Sequence, residues 1–414
     1  MTGSRWQLLL LALINAATIF GRSSVSPFQE ALTVARHLSD NQMALIQGAA
    51  IALPQVIAGI PLGLAVDRYS RMRLLIVFSV LTCVGTAVTA WAGDFSALFA
   101  ARCLVGLATA VVGPAALSLI GDLFAPARRG RAVMVFHVGG IAGMSLAFAA
   151  GGLLLEQFGA ADHGLRLAML WFAVGTAVPL LPTVLAREPA RTEVAPTDGP
   201  SRGRFAALWH HRRILVILIT GWCLVQVGDA AVLVWAPPTL VRCFGLSPAK
   251  ASSLMAPLLL CSGVISPFLG GIAADWCHRR AGPRLTVTAL GVFALVTLAM
   301  SLFPLVSSIM LASAMLLCFI TFGLAVSTMT MALSIVVIPN ELRGLCIGLY
   351  TMFGAIFGLG VAPLMVSSLT QFLGGGVMIA PSLATVNAVT ALLGAVAFFH
   401  ARRLFTYSTR ETSQ

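Results

Sequence analysis

Two charges stand where charge is costly. Arg22 interrupts an apolar run near its middle, and Asp229 interrupts another. An ionisable side chain inside hydrocarbon is expensive and by default marks a path for an ion or a solute. Glu30, Arg102 and His137 are further titratable groups in or at the edge of such runs, and a histidine changes charge near neutral pH. Asn15, Gln47, Gln55 and Gln226 offer neutral hydrogen bonds, while Trp222, Trp235 and Phe136 offer apolar walls. The chemistry open to this set is recognition and proton exchange rather than bond making. The ionisable groups are too few and too far apart to build a nucleophile with its base. There is no glycine-rich loop to cradle phosphate. The seven histidines and eight cysteines show no metal-ligand spacing. The sequence therefore predicts no enzyme, no catalytic residue, no metal and no cofactor.

The elements that must hold these residues follow from composition. The chain has 414 residues, 58% hydrophobic and only 10% charged, against about 25% charged in a soluble domain. Its mean hydropathy is +0.95. Those values exclude an ordinary soluble enzyme, a disordered chain and a disulfide-stapled module, and leave a helical membrane protein. A barrel would need alternating strands of about ten residues; the apolar runs here are twice as long and do not alternate. Twelve runs near 6–35, 41–66, 73–92, 96–121, 131–155, 166–186, 213–242, 248–273, 284–305, 308–337, 344–369 and 378–400 each suffice for one crossing. The only long polar stretch, rich in Pro, Gly, Ser, Thr and mixed charge, separates six runs from six. It reads as a linker with a short interfacial helix at 205–210. The expected organisation is an all-α membrane protein with a six-helix bundle over 1–186, a linker over 187–212, a second six-helix bundle over 213–401 and a tail over 402–414.

The halves echo each other. Ser39 before the second run and Ser247 before the eighth lie 208 residues apart, as do "GLAVD" at 63–67 and "GIAAD" at 271–275. Ser39 with Gln42 predicts a capping box, and Ser247 with Pro248 a helix start. A common offset points to an internal duplication, as transporters often carry. At this offset Arg22 falls on Ala230, beside Asp229. The expectation is that both charges line one cavity, where a pair between them holds one conformer and an anionic cargo, or a proton on Asp229, releases it.

Charge placement predicts orientation. With the N-terminus inside, twenty of the 26 Lys and Arg fall on inner segments and only Arg36, Arg166, Arg242 and Lys250 on outer ones, a strong positive-inside bias. Both termini are then expected in the cytoplasm. The net charge of +12 serves topology and anionic-lipid contact; it is spread over short loops with no nucleic-acid-reading module. The near absence of lysine suggests a bacterial inner-membrane protein. A monomer is the default.

The loop after the second run reads Gly63-Leu-Ala-Val-Asp67-Arg68-Tyr-Ser70-Arg71-Met-Arg73. It resembles the signature loop of the major facilitator superfamily, with Ser70 where glycine and Met72 where a basic residue is usual. The second half keeps Gly271, Asp275, Arg279 and Arg280. Residues 102–132, with Arg102, Gly106, Asp122, Pro126, Arg129 and Gly130, are similar to the family's fourth span and following loop, with an echo at Pro339, Arg343 and Gly344. The fifth run carries Gly139, Gly140, Gly143, Gly151 and Gly152, but Met144 follows Gly143 where the family's antiporters place proline. The first half looks most like the spinster-type branch, linked to lysolipid and sphingolipid export. Its usual Asp-Arg pair in the first span is Gly21-Arg22 here, and its usual glutamate in the fourth is Thr109.

The resemblance implies two bundles that rock about a central site. It implies that Gly63, Asp67, Arg68, Arg71, Arg73, Gly271 and Asp275 form conformational latches, with Gly63 allowing close helix contact, and that Arg102 stands at a position linked to coupling. The cargo expected is a small amphipathic or anionic organic solute, lysolipid-like or drug-like, with protons as a possible co-substrate. Proton-coupled organic-anion import or facilitated flux is the close alternative, and a non-transporting membrane sensor is a different class.

Overall fold

The computed structural model describes residues 2–185, 188, 212–338 and 342–411. The linker helix expected at 205–210 and Pro339 lie outside them. The chain forms α1 (Thr2–Arg22), a 3-10 segment (Ser23–Phe28), α2 (Gln29–Ala35), α3 (Asp40–Ala44), a π-helical turn (Leu45–Ala49) and α4 (Ala50–Arg68). Then come α5 (Arg71–Trp91), α6 (Phe95–Leu123), α7 (Pro126–Phe158), α8 (Asp162–Ala177) and a 3-10 segment (Val178–Leu185). Beyond the linker lie α9 (Arg212–Phe244), α10 (Pro248–Met300), α11 (Ile309–Val337), α12 (Arg343–Phe353), a π segment (Gly354–Val361), α13 (Ala362–Phe372) and α14 (Ile379–Glu411).

Eleven helical segments among the described residues are long and apolar enough to cross a membrane. One of them, Pro248–Leu305, has 58 residues, about 87 Å as straight helix against a hydrocarbon layer of about 30 Å. It breaks at Ala281 and Gly282, where φ is −152° and +64°. The left-handed φ is one that glycine adopts without a Cβ penalty. The segment therefore crosses twice and the crossings number twelve, as the apolar runs predict.

Local chemistry sets the helix ends. Ser39 accepts from the Gln42 backbone while the Gln42 side chain accepts from the Ser39 backbone, so the capping box is formed. The Ser247 hydroxyl accepts from the Lys250 N–H at 3.3 Å. Ser70, Asp94 and Ser308 cap α5, α6 and α11 in the same way. The first run is one span but not one α-helix. It tightens to 3-10 after Arg22, where Pro27 removes a backbone donor. Ala230, at the 208-residue offset from Arg22, lies within unbroken α9.

Packing divides the chain into two compact units, Met1–Ala195 with Leu240–Leu260, and Pro196–Thr239 with Cys261–Gln414. In the first, Leu11 and Ile14 of α1 meet Leu75, Val111, Val112 and Phe136 in one core, and Val25, Phe28, Met43, Leu98 and Phe172 build another. Small residues let these helices approach, as membrane interiors favour. A Cβ on Gly139 or Gly143 would overlap the Ala12 or Ala16 carbonyl of α1. Leu240–Leu260 joins this unit because Ser252 donates to the Pro27 carbonyl at 2.9 Å, Ser145 donates to the Ala256 carbonyl at 2.7 Å, and Gly152 packs on Ala249 and Ser253. In the second unit, Leu218, Val287, Leu290, Val326, Met329 and Phe398 form one core, and Leu215, Ile219, Trp222, Ile338 and Tyr350 another.

Candidate functional site

The break at the end of α1 frees backbone groups, and Arg102 of α6 reaches them. Its Nη2 donates to the Arg22 carbonyl, and its Nη1 lies 3.4 Å from the Ser24 hydroxyl. Arg102 is 2% exposed, yet its Nε has no partner among the described residues. The Arg22 guanidinium makes no ion pair or hydrogen bond among the described residues, and the two guanidinium charges repel each other. Two cations held together inside a membrane protein, with no carboxylate paired to them among the described residues, are poised for an anion.

A neutral network borders this break. Ser26 donates to Gln47 Oε1 at 2.7 Å, and Gln47 Nε2 donates to Gln29 Oε1 at 2.5 Å. Gln47 sits in the π-helical turn, a distortion frequent at functional sites. Gln29 is fully buried, and its own Nε2 donor is unused. Gln55 Nε2 donates to the Thr109 hydroxyl at 2.8 Å, so Thr109 joins α4 to α6. Asn15 donates to the Phe136 carbonyl at 2.8 Å and packs on Gly140, which ties α1 to α7. His137 is exposed and meets Phe136 edge-on.

In the second unit, Asp229 of α9 points at Gly323 of α11, where a Cβ would overlap the carboxylate. Both Asp229 oxygens are buried and without a hydrogen-bond partner among the described residues. One residue earlier, Gly228 faces Asn387 and Thr390 of α14; a Cβ there would stand 3.6 Å from Asn387 Oδ1 and 3.4 Å from Thr390 Oγ1. Asn387 is wholly buried, and its Oδ1 and Nδ2 are also unpartnered. One to two turns away, Trp222 Nε1 donates to Ser327 at 3.0 Å, and Ser327 donates to Gln226 Oε1 at 3.3 Å. The Trp222 ring stands edge-on to Tyr350. Trp235 donates to the Pro363 carbonyl at 2.9 Å, which makes it a packing residue.

Glu30 is an ion-pair member. Arg242 Nη2 lies 2.8 Å from Glu30 Oε1, and its two Nη groups hold both oxygens of Asp40 at 2.9 and 2.8 Å. The triad is mostly buried within the first unit.

At the arginine-rich end of that unit, Arg71 is buried and donates to Asp122, to Ser118 Oγ at 3.0 Å and to Glu188 at 3.3 Å. Glu188 also accepts from the Arg71 backbone at 3.0 Å and from the Ser70 hydroxyl. Partial burial opposes ionisation of Glu188, but the hydrogen bonds from Ser70 and from the Arg71 backbone and guanidinium outweigh it and hold its carboxyl below the usual range. Ser70, where the signature has glycine, thus caps α5 and anchors Glu188. Asp67, Arg68, Arg73 and Asp275 are exposed; the Asp275 carbonyl accepts from Arg279 Nε at 3.3 Å. A Cβ at Gly63 or at Gly271 would meet no atom within 4 Å among the described residues. Arg71 is the buried basic side chain of the signature loop.

Sequence reasoning passed over Gln29, Glu188, Ser327 and Asn387, and counted Arg242 only as a loop charge. Neutral polar residues in apolar runs carried the one signal that would have found Gln29, Ser327 and Asn387. Nothing local distinguishes Arg242 or Glu188.

Comparison with known proteins sets this geometry in a family. The profile of the Major Facilitator Superfamily matches residues 11–363. A probable galactarate/D-glucarate transporter of Escherichia coli (strain K12) is 26% identical over 77% of this chain and 76% of its own length. Protein spinster homolog 1 of Homo sapiens is 27% identical over 68% of this chain; the match spans 57% of that protein. Among solved structures, a bacterial homolog to the human lysosomal transporter Spinster, inward-facing and unoccupied, superposes with a TM-score of 0.80. It covers 98% of both chains at 20% identity, a likeness of fold.

Proposed function

Because the chain belongs to the Major Facilitator Superfamily, and is therefore a secondary transporter of small organic solutes rather than an enzyme, we propose that its cargo is a small organic anion bound through Arg22 and Arg102. The carrying observation is the surplus of donors in the first unit. The Arg22 guanidinium, Arg102 Nε and Gln29 Nε2 have no acceptor among the described residues. A carboxylate supplies the missing acceptors and cancels the repulsion between the two arginines. An apolar wall suits an aliphatic or aromatic body. The similarity to a transporter of galactarate and D-glucarate, both dicarboxylates, supports the same chemistry.

Asp229 is the proton carrier in this reading. An ionised carboxylate with no donor is costly in the membrane interior, and a proton neutralises it without a partner side chain. The arginine-rich loops support cytoplasmic termini and contact with anionic lipids, and the near absence of lysine supports a bacterial inner-membrane protein, taken in this reading as a monomer.

Flux into proteoliposomes tests the reading. An aromatic monocarboxylate, a sugar dicarboxylate and a lysophospholipid are compared with and without an imposed pH gradient. The expected result is carboxylate flux that an Arg22→Gln substitution weakens about 10- to 100-fold, the worth of a charged hydrogen bond. Flux of the lysophospholipid alone would overturn the anion assignment.

A further inference from the structure

We propose that Asn387 is the residue that recognises the protonated form of Asp229, through an acid–amide pair that closes only when the proton is bound. The inference rests on the reading of Asp229 as proton carrier and assigns that site a second member.

Four polar atoms in this part of the second unit are buried and have no hydrogen-bond partner among the described residues: both oxygens of Asp229, and Oδ1 and Nδ2 of Asn387. Buried polar groups are nearly always paired, and each exception asks for a reason. Here the two exceptions sit on adjoining elements. Gly228, next to Asp229 in α9, is the glycine whose face abuts Asn387 and Thr390. Phe319, one turn before Gly323 on α11, stands against the same glycine, where a Cβ would be 3.4 Å from its ring. α11 and α14 thus both meet α9 at Gly228, the residue before the carboxyl. The Thr390 hydroxyl proton is already engaged, donating to the Val386 carbonyl at 2.9 Å.

The hydrogen-bonding inventories of the two groups match in one protonation state only. A neutral carboxyl has one O–H donor and one carbonyl acceptor, and a primary amide has one carbonyl acceptor and an NH2 donor. Asp229 O–H to Asn387 Oδ1, with Asn387 Nδ2–H to the other Asp229 oxygen, satisfies all four atoms at once. An ionised Asp229 accepts from Nδ2 but has nothing to give Oδ1, and the amide oxygen then faces a negative charge. The pair therefore favours the proton-bound state, and loss of the proton parts α9 from α14 at this level.

No other charge competes for this role. Residues 214–241 of α9, residues 261–274 and 285–300 of α10, α11, residues 345–372 and residues 379–399 of α14 hold no Asp, Glu, Lys, Arg or His apart from Asp229. The π segment packs on α9 through Gly354 against Trp222 and Gly358 against Gln226 and Ala230. The other titratable side chains within these stretches are Cys223, Cys261, Cys318, Cys346 and Tyr350, and His400 follows the last of them.

Infrared difference spectroscopy of the purified full-length protein across an alkaline titration tests this and needs no knowledge of the cargo. The expected signal is a protonated-carboxyl stretch that Asp229→Asn abolishes. Asn387→Leu, which replaces the amide by an apolar group of similar shape and so preserves the core, should lower the midpoint of that band by about one pH unit, a roughly tenfold weaker proton. Asn387→Asp should raise it, since two carboxyls facing each other share a proton. A purely packing role for Asn387 would not move the midpoint in opposite directions. An unchanged midpoint in both variants overturns the pair, as does the absence of any Asp229-dependent band at every pH. If the band behaves as expected while no carboxylate is transported, the cargo assignment fails and the Asp229–Asn387 pair stands.

Discussion

Arg242 holds Asp40 by both oxygens, at 2.8 and 2.9 Å, although 202 residues separate them in the chain. The same guanidinium reaches Glu30 at 2.8 Å. One cation thus joins the end of α9 to α2 and to the first residue of α3. The planar fork suits the carboxylate in a way an ammonium does not.

Removing that cation leaves two mostly buried carboxylates facing each other. Arg242→Ala is expected to destabilise the first unit by about 2–4 kcal/mol, read as a lower midpoint of thermal unfolding in detergent. Arg242→Lys should recover only part of it. In a double-mutant cycle, Asp40→Asn combined with Arg242→Gln should cost less than the sum of the single changes. Strict additivity would mean that the pair contributes nothing.

Glu188 gives the arginine-rich end a defined pH dependence. Its folded-state carboxyl is held below its ordinary value of 4.5, so it binds protons less readily folded than unfolded. Its stabilisation is full above that ordinary value and is lost as the pH falls through the lowered folded one. Glu188→Gln should therefore flatten the acid limb of a stability–pH curve and leave its neutral region offset by a constant. An acid limb of unchanged slope would refute the assignment.

Arg22 and Arg102 should separate in their effects. Arg102 donates to the Arg22 carbonyl at the 3-10 break, so Arg102→Gln is expected to lower both thermal stability and anion affinity. The Arg22 side chain supports nothing among the described residues, so Arg22→Gln should raise KM and leave the unfolding midpoint unchanged. Equal losses of stability in the two variants would contradict this division.

Glycine contacts make a paired test of packing. At Gly143, Cβ atoms have no room against the Ala16 carbonyl, whereas at Gly63 they meet open space. Gly143→Val should cost about 1–3 kcal/mol or prevent folding, and Gly63→Ala should leave thermal stability unchanged. Loss of transport in a stable Gly63→Ala protein would show that this face packs in another conformer.

Much of the fold was legible because its signals are local. Each crossing is a property of about twenty neighbouring residues, and the Ser39–Gln42 box and the Ser247–Pro248 start are properties of four. The 208-residue offset located both copies of the signature loop. It did not show that the helix breaks after Arg22 and runs unbroken through Ala230, because Pro27 and Arg102 act on one copy alone.

The sequence by itself determined the twelve crossings, the family resemblance and the two intramembrane charges, since apolar length and the cost of buried charge depend on residue type alone. Only the tertiary structure decided their company. It placed Arg102 on the Arg22 carbonyl, Arg242 on Glu30 and Asp40, Glu188 on Ser70 and Arg71, and Asn387 beside the glycine face that precedes Asp229. Those pairings depend on which helix faces meet, and in lipid that is set by small-residue packing between segments far apart in the chain, which no local pattern records.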